Sequence, residues 1–360
     1  MQRMEPYILS SDAPAVRAGQ AAEIDAMFEA MFEGDRIFQP SAFWEHYNRR
    51  NVGELSAFGF ENAKRTVARN YFTFVVTPIN DQFRFLAQHT RVADWPKVLA
   101  GLWSLRDEQV KWFFLAFLSV HTKMLWLYAK RHDPDGILST LSEPPLGNPF
   151  DVRMDGKLVS QDLANSVLEY YSVVGGLPAG YSPRVFCELG AGYGRNAFVF
   201  LKMFARAKYI VVDIPPALYV SQRYLTELFP EKVAFTFREF GAYEEIRDEF
   251  ERSQIAFLLP HQANMLPSAS VDVFINISSL HEMLPVQIAA YFDLIGRITR
   301  GWFYSKQWQV SHNRFDGIVV REEDYPKPAA WEVVFRRVPL VQRAFFETMF
   351  KLSPDPGGAR

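Results

Sequence analysis

The second half of the chain alternates short apolar runs with longer segments of helical periodicity. The apolar runs read RVFCEL, KYIVVD, IAFLLP, VDVFINI and GWFYSKQ, and the helical segments between them include RNAFVFLKMFAR, PPALYVSQRYLTELFP and PVQIAAYFDLIGRITR. This alternation predicts an α/β fold with a doubly wound, mostly parallel sheet, because parallel strands need crossover helices that cover both faces. The late segments WEVVFRR and AFFETMFK predict an antiparallel pair near the C-terminus.

The first part of the chain is mainly helical in pattern. AAEIDAMFEAMFEG ends at Gly34, PSAFWEHYNRRN begins a helix at Pro40 and Ser41, and ELSAFGFENAKRTVARNYFTFV continues the helical pattern. The Pro- and Gly-dense stretch RHDPDGILSTLSEPPLGNPFDV predicts a boundary. We therefore expect a helical domain over residues 1–150, acting as a lid, an acceptor-binding surface or a dimer surface, and an α/β domain over residues 151–360.

Composition restricts the class of protein. Hydrophobic residues make up 49% of the 360 residues and charged residues 22%, which is typical of a globular chain. The net charge of −2 gives no steering towards nucleic acid or anionic lipid. The one cysteine, Cys187, cannot form an internal disulfide, and the N-terminus lacks the apolar core of a signal peptide, so we expect a cytoplasmic protein.

One apolar segment, Trp112 to Tyr128, has nearly the length of a membrane helix. His121 and Lys123 lie at its middle, where a charged side chain is costly in a bilayer. The segment is therefore predicted to be a buried helix of the helical domain, with no membrane span.

A glycine-rich loop, Glu188-Leu-Gly-Ala-Gly-Tyr-Gly-Arg195, follows the first predicted strand. A phosphate-binding loop of the Walker type needs Lys and Ser or Thr after its last glycine, whereas Arg195 and Asn196 stand here. The dinucleotide fingerprint needs a third glycine at position 195. Neither a nucleoside triphosphate nor a dinucleotide is favoured.

Two acidic residues accompany this loop, one just before its glycines and one at the end of the next predicted strand. Glu188 precedes the glycines Gly190, Gly192 and Gly194, and Asp213 ends the next predicted strand. The arrangement resembles motif I of class I S-adenosylmethionine-dependent methyltransferases. A carboxylate at Asp213 can accept both ribose hydroxyls, and helix N-terminal amides after the loop favour a carboxylate on the ligand.

The resemblance to class I enzymes implies further contacts with S-adenosylmethionine. Glu188 suits the ammonium group, Gln262 lies after the third strand where adenine binds, and Asn276 ends the fourth strand. Gln161 lies at the junction with the helical domain, after the predicted helix cap Ser160. For Gln262, an ordinary surface amide is an equally good interpretation.

The loop after the fourth strand carries the candidate catalytic residues. His281 and Glu282 are the candidates to remove a proton from an acceptor hydroxyl, although His281 capping the next helix is an alternative. Ser279, Gln307 and Trp308 are the candidate acceptor-binding residues. The histidines show no paired ligand spacing, so no metal is expected.

Seven segments in order give a closer resemblance. PSAFWEHYNRRN, FGFENAKRTVARNYF, SQDLANSVLEYY, CELGAGYGRNA, VVDIPPAL, NISSLHEM and SKQWQ are similar to a bacterial family of sugar O-methyltransferases. The resemblance implies a Rossmann-like methyltransferase sheet, S-adenosylmethionine as methyl donor and a sugar hydroxyl in polysaccharide, glycoside or natural-product biosynthesis as acceptor. A non-sugar small-molecule acceptor and a catalytically silent scaffold remain alternatives.

Overall fold

A computed structural model describes residues 18–68, 78–107 and 110–352. The expectation about the N-terminal signal and the last part of the predicted helical stretch, residues 69–75, lie outside the described residues. Within the described ranges the chain forms the following helices: α1 Ala18–Glu33, α2 Ala42–Phe58, α3 Pro78–His89, α4 Trp95–Leu99, α5 Trp112–Arg131, α6 Ile137–Thr140, α7 Gln161–Gly175, α8 Arg195–Met203, α9 Ala217–Leu228, α10 Tyr243–Arg252, α11 Pro260–Ala263 and α12 Pro285–Ile298.

The strands form one large sheet and two hairpins. Their bounds are β1 Arg153–Met154, β2 Lys157–Leu158, β3 Val185–Leu189, β4 Lys208–Val212, β5 Ala234–Phe235, β6 Ile255–Leu258, β7 Val271–Ile277, β8 Thr299–Trp308, β9 Val310–Asn313, β10 Ile318–Arg321, β11 Trp331–Arg337 and β12 Phe345–Leu352. The eight-stranded sheet has the order β11-β12-β8-β7-β3-β4-β6-β5. All neighbours from β8 to β5 are parallel, whereas β12 is antiparallel to both β8 and β11. The predicted doubly wound, Rossmann-like sheet with its antiparallel strand near the C-terminus is confirmed.

The sheet is buried on both faces, as continuous apolar strands require. Along β3, Phe186 packs into one hydrophobic core, and Cys187 and Leu189 pack into the other. The first core also contains residues of α5, α7 and α8, and the second contains residues of α10 and α12. The helices of the first 150 residues therefore share a hydrophobic core with the sheet rather than packing separately from it.

Several local predictions are confirmed and others are wrong. Ser160 caps α7, accepting a hydrogen bond from the Leu163 amide at 2.9 Å. The helical segment predicted for PVQIAAYFDLIGRITR forms α12, which begins at Pro285. The predicted continuation of α2 beyond residue 58 is wrong, because Gly59 takes a positive φ of 69° and ends the helix. The hairpin of β9 and β10 and the edge strand β5 were not predicted.

Helix α5 is the described helix long and apolar enough, by length and composition, to cross a membrane, and 67% of its apolar window is buried inside the protein. His121 and Lys123 are both buried, and the Lys123 ammonium donates to the Ala100 carbonyl at 2.6 Å. Burial of Met124 and Leu125 in the first core makes α5 an internal packing element of the fold.

Candidate functional site

A cavity opens at the carboxyl ends of β3, β4, β6 and β7. The chain passes from β3 to β4 and β6 in one direction and from β7 to β8 in the other, so the strand order reverses between β3 and β7. Open parallel sheets bind ligands at such a reversal. The lining residues are Phe38, Gln39, Pro40, Ser41, Trp44, Leu189, Gly190, Gly192, Asp213, Ile214, Pro260, Ser278, Ser279, Met283, Gln287 and Tyr291.

One side of the cavity comes from residues 36–44, which we call the cap segment. The Phe38 ring meets the Tyr291 ring edge-on at 5.3 Å between centroids. The Gln287 amide donates to the backbone carbonyls of Ile37 and Gln39 at 3.2 and 2.7 Å. These contacts hold the cap segment over α12 and beside the ends of the strands.

The cap segment continues into α2, whose first amides are capped by a distant residue. Ser41 is the N-cap by position, but its hydroxyl makes no capping bond and donates instead to the Glu282 carbonyl at 3.3 Å. The Asp316 carboxylate, from the turn between β9 and β10, accepts from the Ala42 and Phe43 amides, both at 3.1 Å. A carboxylate at this helix end stabilises α2 where it faces the cavity.

The glycine loop adopts the conformations that its sequence allows. Gly190, Gly192 and Gly194 have φ values of 74°, 61° and 89°, in the region that side chains with a Cβ rarely adopt. A Cβ at Gly190 would lie 2.5 Å from both the Cβ and the hydroxyl oxygen of Ser279. Glycine at 190 thus permits both the turn and its close packing against the loop after β7.

Asp213 lies directly after β4 and faces the cavity. Its carboxylate accepts hydrogen bonds from the Gly192 amide at 2.7 Å and the Ile214 amide at 2.8 Å. Burial, together with the smaller effect of the negative charges of Glu188 and Glu282, raises the pKa of Asp213 to about 7 despite these two bonds. No cationic side chain in the described ranges is hydrogen-bonded to it or forms an ion pair with it.

Glu188 does not line the cavity. Its two carboxylate oxygens accept from the Asn196 amide at 3.0 Å and the Tyr209 hydroxyl at 2.7 Å. Burial raises the pKa of Glu188, and these two hydrogen bonds act in the opposite direction. The structure therefore places Glu188 beneath the glycine loop, tied to the first turn of α8.

The amides of Gln262 and Asn276 are also used within the chain. Gln262 accepts from the Leu259 amide at 3.0 Å and donates to the Arg238 carbonyl at 2.8 Å, which fixes the turn from β6 into α11. Asn276 donates to the Leu189 carbonyl at 2.8 Å and to the Ser279 hydroxyl at 2.5 Å. Both side chains are buried and hold the loops that form the cavity.

His281 and Glu282 lie in a 3₁₀ turn after β7. The His281 Nδ1 atom is 3.1 Å from Gln307 Oε1, and its Nε2 atom is 3.5 Å from Glu282 Oε1. Gln307 donates through Nε2 to Asn276 Oδ1 at 2.5 Å, which turns its oxygen towards the imidazole. His281 is thus held between an amide oxygen and a carboxylate.

The remaining predicted site residues have different surroundings. Ser279 lines the cavity beside Gly190. Trp308 lies behind His281, with its ring 6.1 Å from the imidazole and 5.1 Å from Phe345. Gln161 begins α7 and does not line this cavity.

Sequence reasoning did not anticipate a buried ionic cluster below the glycine loop. The Glu169 carboxylate accepts from Arg195 at 2.5 Å and from Lys306 at 2.7 Å, and Arg195 also donates to the Ser166 hydroxyl. Burial alone would raise the pKa of Glu169, but the charges of Arg195 and Lys306 lower it. The only signal in the sequence was the three-residue spacing of Ser166 and Glu169, which places them on one face of a helix. That spacing could not show that Arg195 of α8 and Lys306 of β8 are their partners.

The cavity suits a ligand that carries hydroxyl donors and an apolar ring. Each Asp213 oxygen accepts one backbone hydrogen bond and keeps a second lone pair for a ligand hydroxyl. Ile214, Pro260 and Tyr291 provide apolar surface beside this carboxylate. Among the residues that the structure describes, no group of three or more His, Cys, Asp or Glu side chains is placed to hold a metal ion.

No protein-family model and no curated protein matches this sequence. Among solved structures, the 1,6-didemethyltoxoflavin-N1-methyltransferase of Burkholderia thailandensis, solved with S-adenosylhomocysteine, is 16% identical and has a TM-score of 0.36, covering 53% of this chain and 78% of its own. The magnesium protoporphyrin IX methyltransferase of Synechocystis is 13% identical with a TM-score of 0.36, covering 54% of this chain and 86% of its own. At these TM-scores, the fold assignment depends on the strand order of the sheet rather than on the neighbours.

Proposed function

We propose that the chain is a cytoplasmic S-adenosylmethionine-dependent O-methyltransferase that acts on a sugar hydroxyl in glycan, glycoside or natural-product biosynthesis. The observation that carries the cofactor assignment is Asp213, a buried carboxylate without a counter-ion among the described residues, at the point where the strand order reverses. A ribose diol supplies the two hydroxyl donors that such a carboxylate can accept. The sugar acceptor is supported by the ordered motifs described above.

Asp213 would hold the ribose, and Ile214, Pro260 and Tyr291 would provide apolar contact for the adenine. Gly190 and Gly192 bring the backbone to the cavity wall, where no side chain intervenes. Glu188 acts one layer below, because its bond to Asn196 fixes the start of α8 behind the loop. Gln262 and Asn276 act in the same way through the backbone atoms that they bind.

S-adenosylmethionine, when bound, supplies an activated methyl group attached to a sulfonium that leaves readily. The protein then has two tasks, which are to align the acceptor hydroxyl and to accept its proton. Glu282 is the more accessible of the two candidate bases, with its side chain 19% exposed against 4% for His281. Its Oε2 atom has no hydrogen-bond partner among the described residues.

We assign the two residues complementary roles. Gln307 Oε1 accepts from the Nδ1–H tautomer of His281, which leaves Nε2 as an unprotonated acceptor 3.5 Å from Glu282 Oε1. Glu282 would take the proton from the acceptor hydroxyl, and Nε2 of His281 would accept a hydrogen bond from the carboxylic acid that results. Gln307 is then a positioning residue, and Ser279 lies on the cavity wall as an acceptor contact.

A non-sugar acceptor is a second candidate, because Phe38, Trp44 and Met283 give the cavity an apolar side that suits a flat aromatic molecule. The two are separated by incubating the protein with labelled S-adenosylmethionine and three acceptor sets: nucleotide-activated sugars, methyl glycosides and phenolic aglycones. Methyl incorporation into a sugar hydroxyl is the expected result, and incorporation into the phenols alone would select the second candidate.

A silent scaffold is distinguished by cofactor binding. S-adenosylmethionine, and not NAD, is expected to raise the melting temperature of the protein. Stabilisation by NAD alone would contradict the proposal, and no stabilisation by either compound would favour the scaffold.

A further inference from the structure

The buried face of α2 carries an asparagine whose polar atoms are unsatisfied. Asn48 is only 3% exposed, and neither its amide nitrogen nor its amide oxygen has a hydrogen-bond partner among the described residues. Burying an amide without partners is costly, and most buried polar groups in folded proteins are satisfied. The side chain therefore needs an explanation beyond packing.

The position of Asn48 on α2 relates it to the cavity. Ser41, Trp44 and Asn48 follow one another at spacings of three and four residues, which places them on the same face of the helix. Ser41 and Trp44 both line the cavity. Asn48 thus continues the cavity-facing side of α2 by one helical turn.

A second unsatisfied group lies on the 3₁₀ turn that contacts the start of α2. The Ser41 hydroxyl contacts the Glu282 carbonyl, so the start of α2 and the 3₁₀ turn with Glu282 are neighbours. Glu282 Oε2 is buried and has no hydrogen-bond partner among the described residues. The unsatisfied amide of Asn48 and the unsatisfied carboxylate oxygen of Glu282 therefore belong to two elements that touch at the start of α2, next to the cavity that Ser41 and Trp44 line.

We propose that Asn48 is an acceptor-binding residue and that the acceptor is a pyranose with adjacent free hydroxyls. The amide can donate to one hydroxyl oxygen and accept from the next, Glu282 can accept from the hydroxyl to be methylated, and Trp44 offers a ring for the apolar face of the sugar. A monohydroxylated phenol can satisfy only one of the two amide functions. This inference deepens the proposed function and depends on it for the role of Glu282.

If the Asn48 amide binds a ligand, replacing it with an apolar side chain should raise the stability of the ligand-free protein and weaken ligand binding. Asn48→Leu removes the unsatisfied amide while keeping a side chain of similar size, so the melting temperature of the ligand-free protein should rise. Binding of the sugar should weaken at least tenfold. Asn62→Leu is the matched control, because Asn62 donates to the Phe58 carbonyl and accepts from Asn148, both at 2.8 Å, and its loss should lower the melting temperature and leave sugar binding unchanged.

The test is calorimetric titration of the protein, saturated with S-adenosylhomocysteine, with the methyl α-pyranosides of glucose, mannose, galactose and rhamnose. We expect at least one to bind the wild type and to bind Asn48→Leu at least tenfold more weakly, with Asn48→Ala as a second variant should the leucine not be accommodated. Equal affinity in wild type and both variants would overturn the inference and point to an ordered water as the partner of Asn48.

The two proposals fail in different ways. If S-adenosylhomocysteine binds and no pyranoside does, the role of Asn48 is wrong and the methyltransferase proposal stands. If a pyranoside binds through Asn48 but S-adenosylhomocysteine does not, the sugar site stands and the methyltransferase proposal is wrong. Binding of neither overturns both.

Discussion

Two groups of buried charges lie on either side of the glycine loop, and they differ in how they are satisfied. Below the loop, Glu169 is bound by Arg195 and Lys306, with every partner supplied by the chain. At the cavity, the Asp213 carboxylate is bound only by backbone amides. On the 3₁₀ turn after β7, outside the cavity lining, Glu282 Oε2 has no partner within the described residues. Carboxylates of the same chemistry are thus paired on one side and left open on the other.

We interpret this difference as a division between residues that maintain the fold and residues that we propose to bind a ligand. The cluster around Glu169 joins α7, α8 and β8, so its charges fix the elements behind the loop. Burial raises the pKa of Asp213 to about 7, because no cationic partner among the described residues offsets it, and hydrogen bonds from a hydroxyl-bearing ligand would stabilise its ionised form. The following experiments test that division.

The largest expected effect is on the paired side. Glu169→Gln leaves Arg195 and Lys306 buried without their counter-charge, and we expect the free energy of unfolding to fall by about 3–5 kcal/mol in urea titrations. Glu244→Gln is the control, because it breaks the exposed pair with Arg247 and should cost less than about 0.5 kcal/mol. If both variants lose the same small amount of unfolding free energy, the buried cluster does not stabilise the fold.

On the open side the expected effect is on turnover. Glu282→Gln and His281→Ala should each lower kcat by roughly a hundredfold or more, because each removes a group that accepts or holds the acceptor proton. The Kd for S-adenosylhomocysteine should stay within about twofold, since neither residue is among those that line the cavity around Asp213. Unchanged kcat in both variants would leave alignment alone as the source of catalysis.

Gly190 lies between the two groups and gives an intermediate effect. Gly190→Ala combines an unfavourable φ of 74° with a contact of 2.5 Å to Ser279, and should destabilise the protein by about 1–3 kcal/mol or more in thermal unfolding. Gly156→Ala provides the comparison, because Gly156 has a similar φ of 79° and open space around the added Cβ. Equal losses would show that packing against Ser279 contributes nothing.

The smallest expected effect is a pH dependence. The pKa of Asp213 is raised from 3.8 to about 7, so the folded protein binds the Asp213 proton more tightly than the unfolded chain does. The stability that comes from this tighter proton binding is present at low pH and is lost as the pH rises from 3.8 to about 7. Ligand hydroxyls need the ionised carboxylate, so affinity for S-adenosylhomocysteine should decrease by roughly tenfold for each pH unit well below 7. Calorimetric titration between about pH 5.5 and about pH 8 measures this affinity, and a constant affinity over that range would contradict the prediction.

The sheet could be predicted from the sequence because short apolar runs and helical periodicity alternate along the chain. The glycine loop also identifies the connection between the first strand of the sheet and the helix that follows it. It could not show which way a side chain at a strand end points. Glu188 and Gln262 were predicted to contact the cofactor, and the structure shows their polar atoms bound inside the chain. Direct contact of these two residues with the cofactor stays a prediction. We propose instead that both act indirectly, by holding the backbone that forms the cavity.

The cap segment was equally inaccessible to sequence reasoning. Its contacts join residues 36–44 to Gln287 and Asp316, far along the chain, and no periodicity reports such pairing. The unsatisfied amide of Asn48 could not be predicted either, because it depends on the groups that surround the residue. In the sequence, Asn48 is an ordinary polar position of an amphipathic helix. The helical lid or dimer surface predicted for residues 1–150 stays a prediction.

The central claim is that Asp213 and the glycine loop bind the nucleoside of S-adenosylmethionine. Calorimetric titration of wild type and Asp213→Asn with S-adenosylhomocysteine at about pH 8, above the raised pKa, tests it most directly. The account predicts one site in the wild type and at least tenfold weaker binding in Asp213→Asn. Equal affinity in the two proteins, or no binding in either, would contradict it.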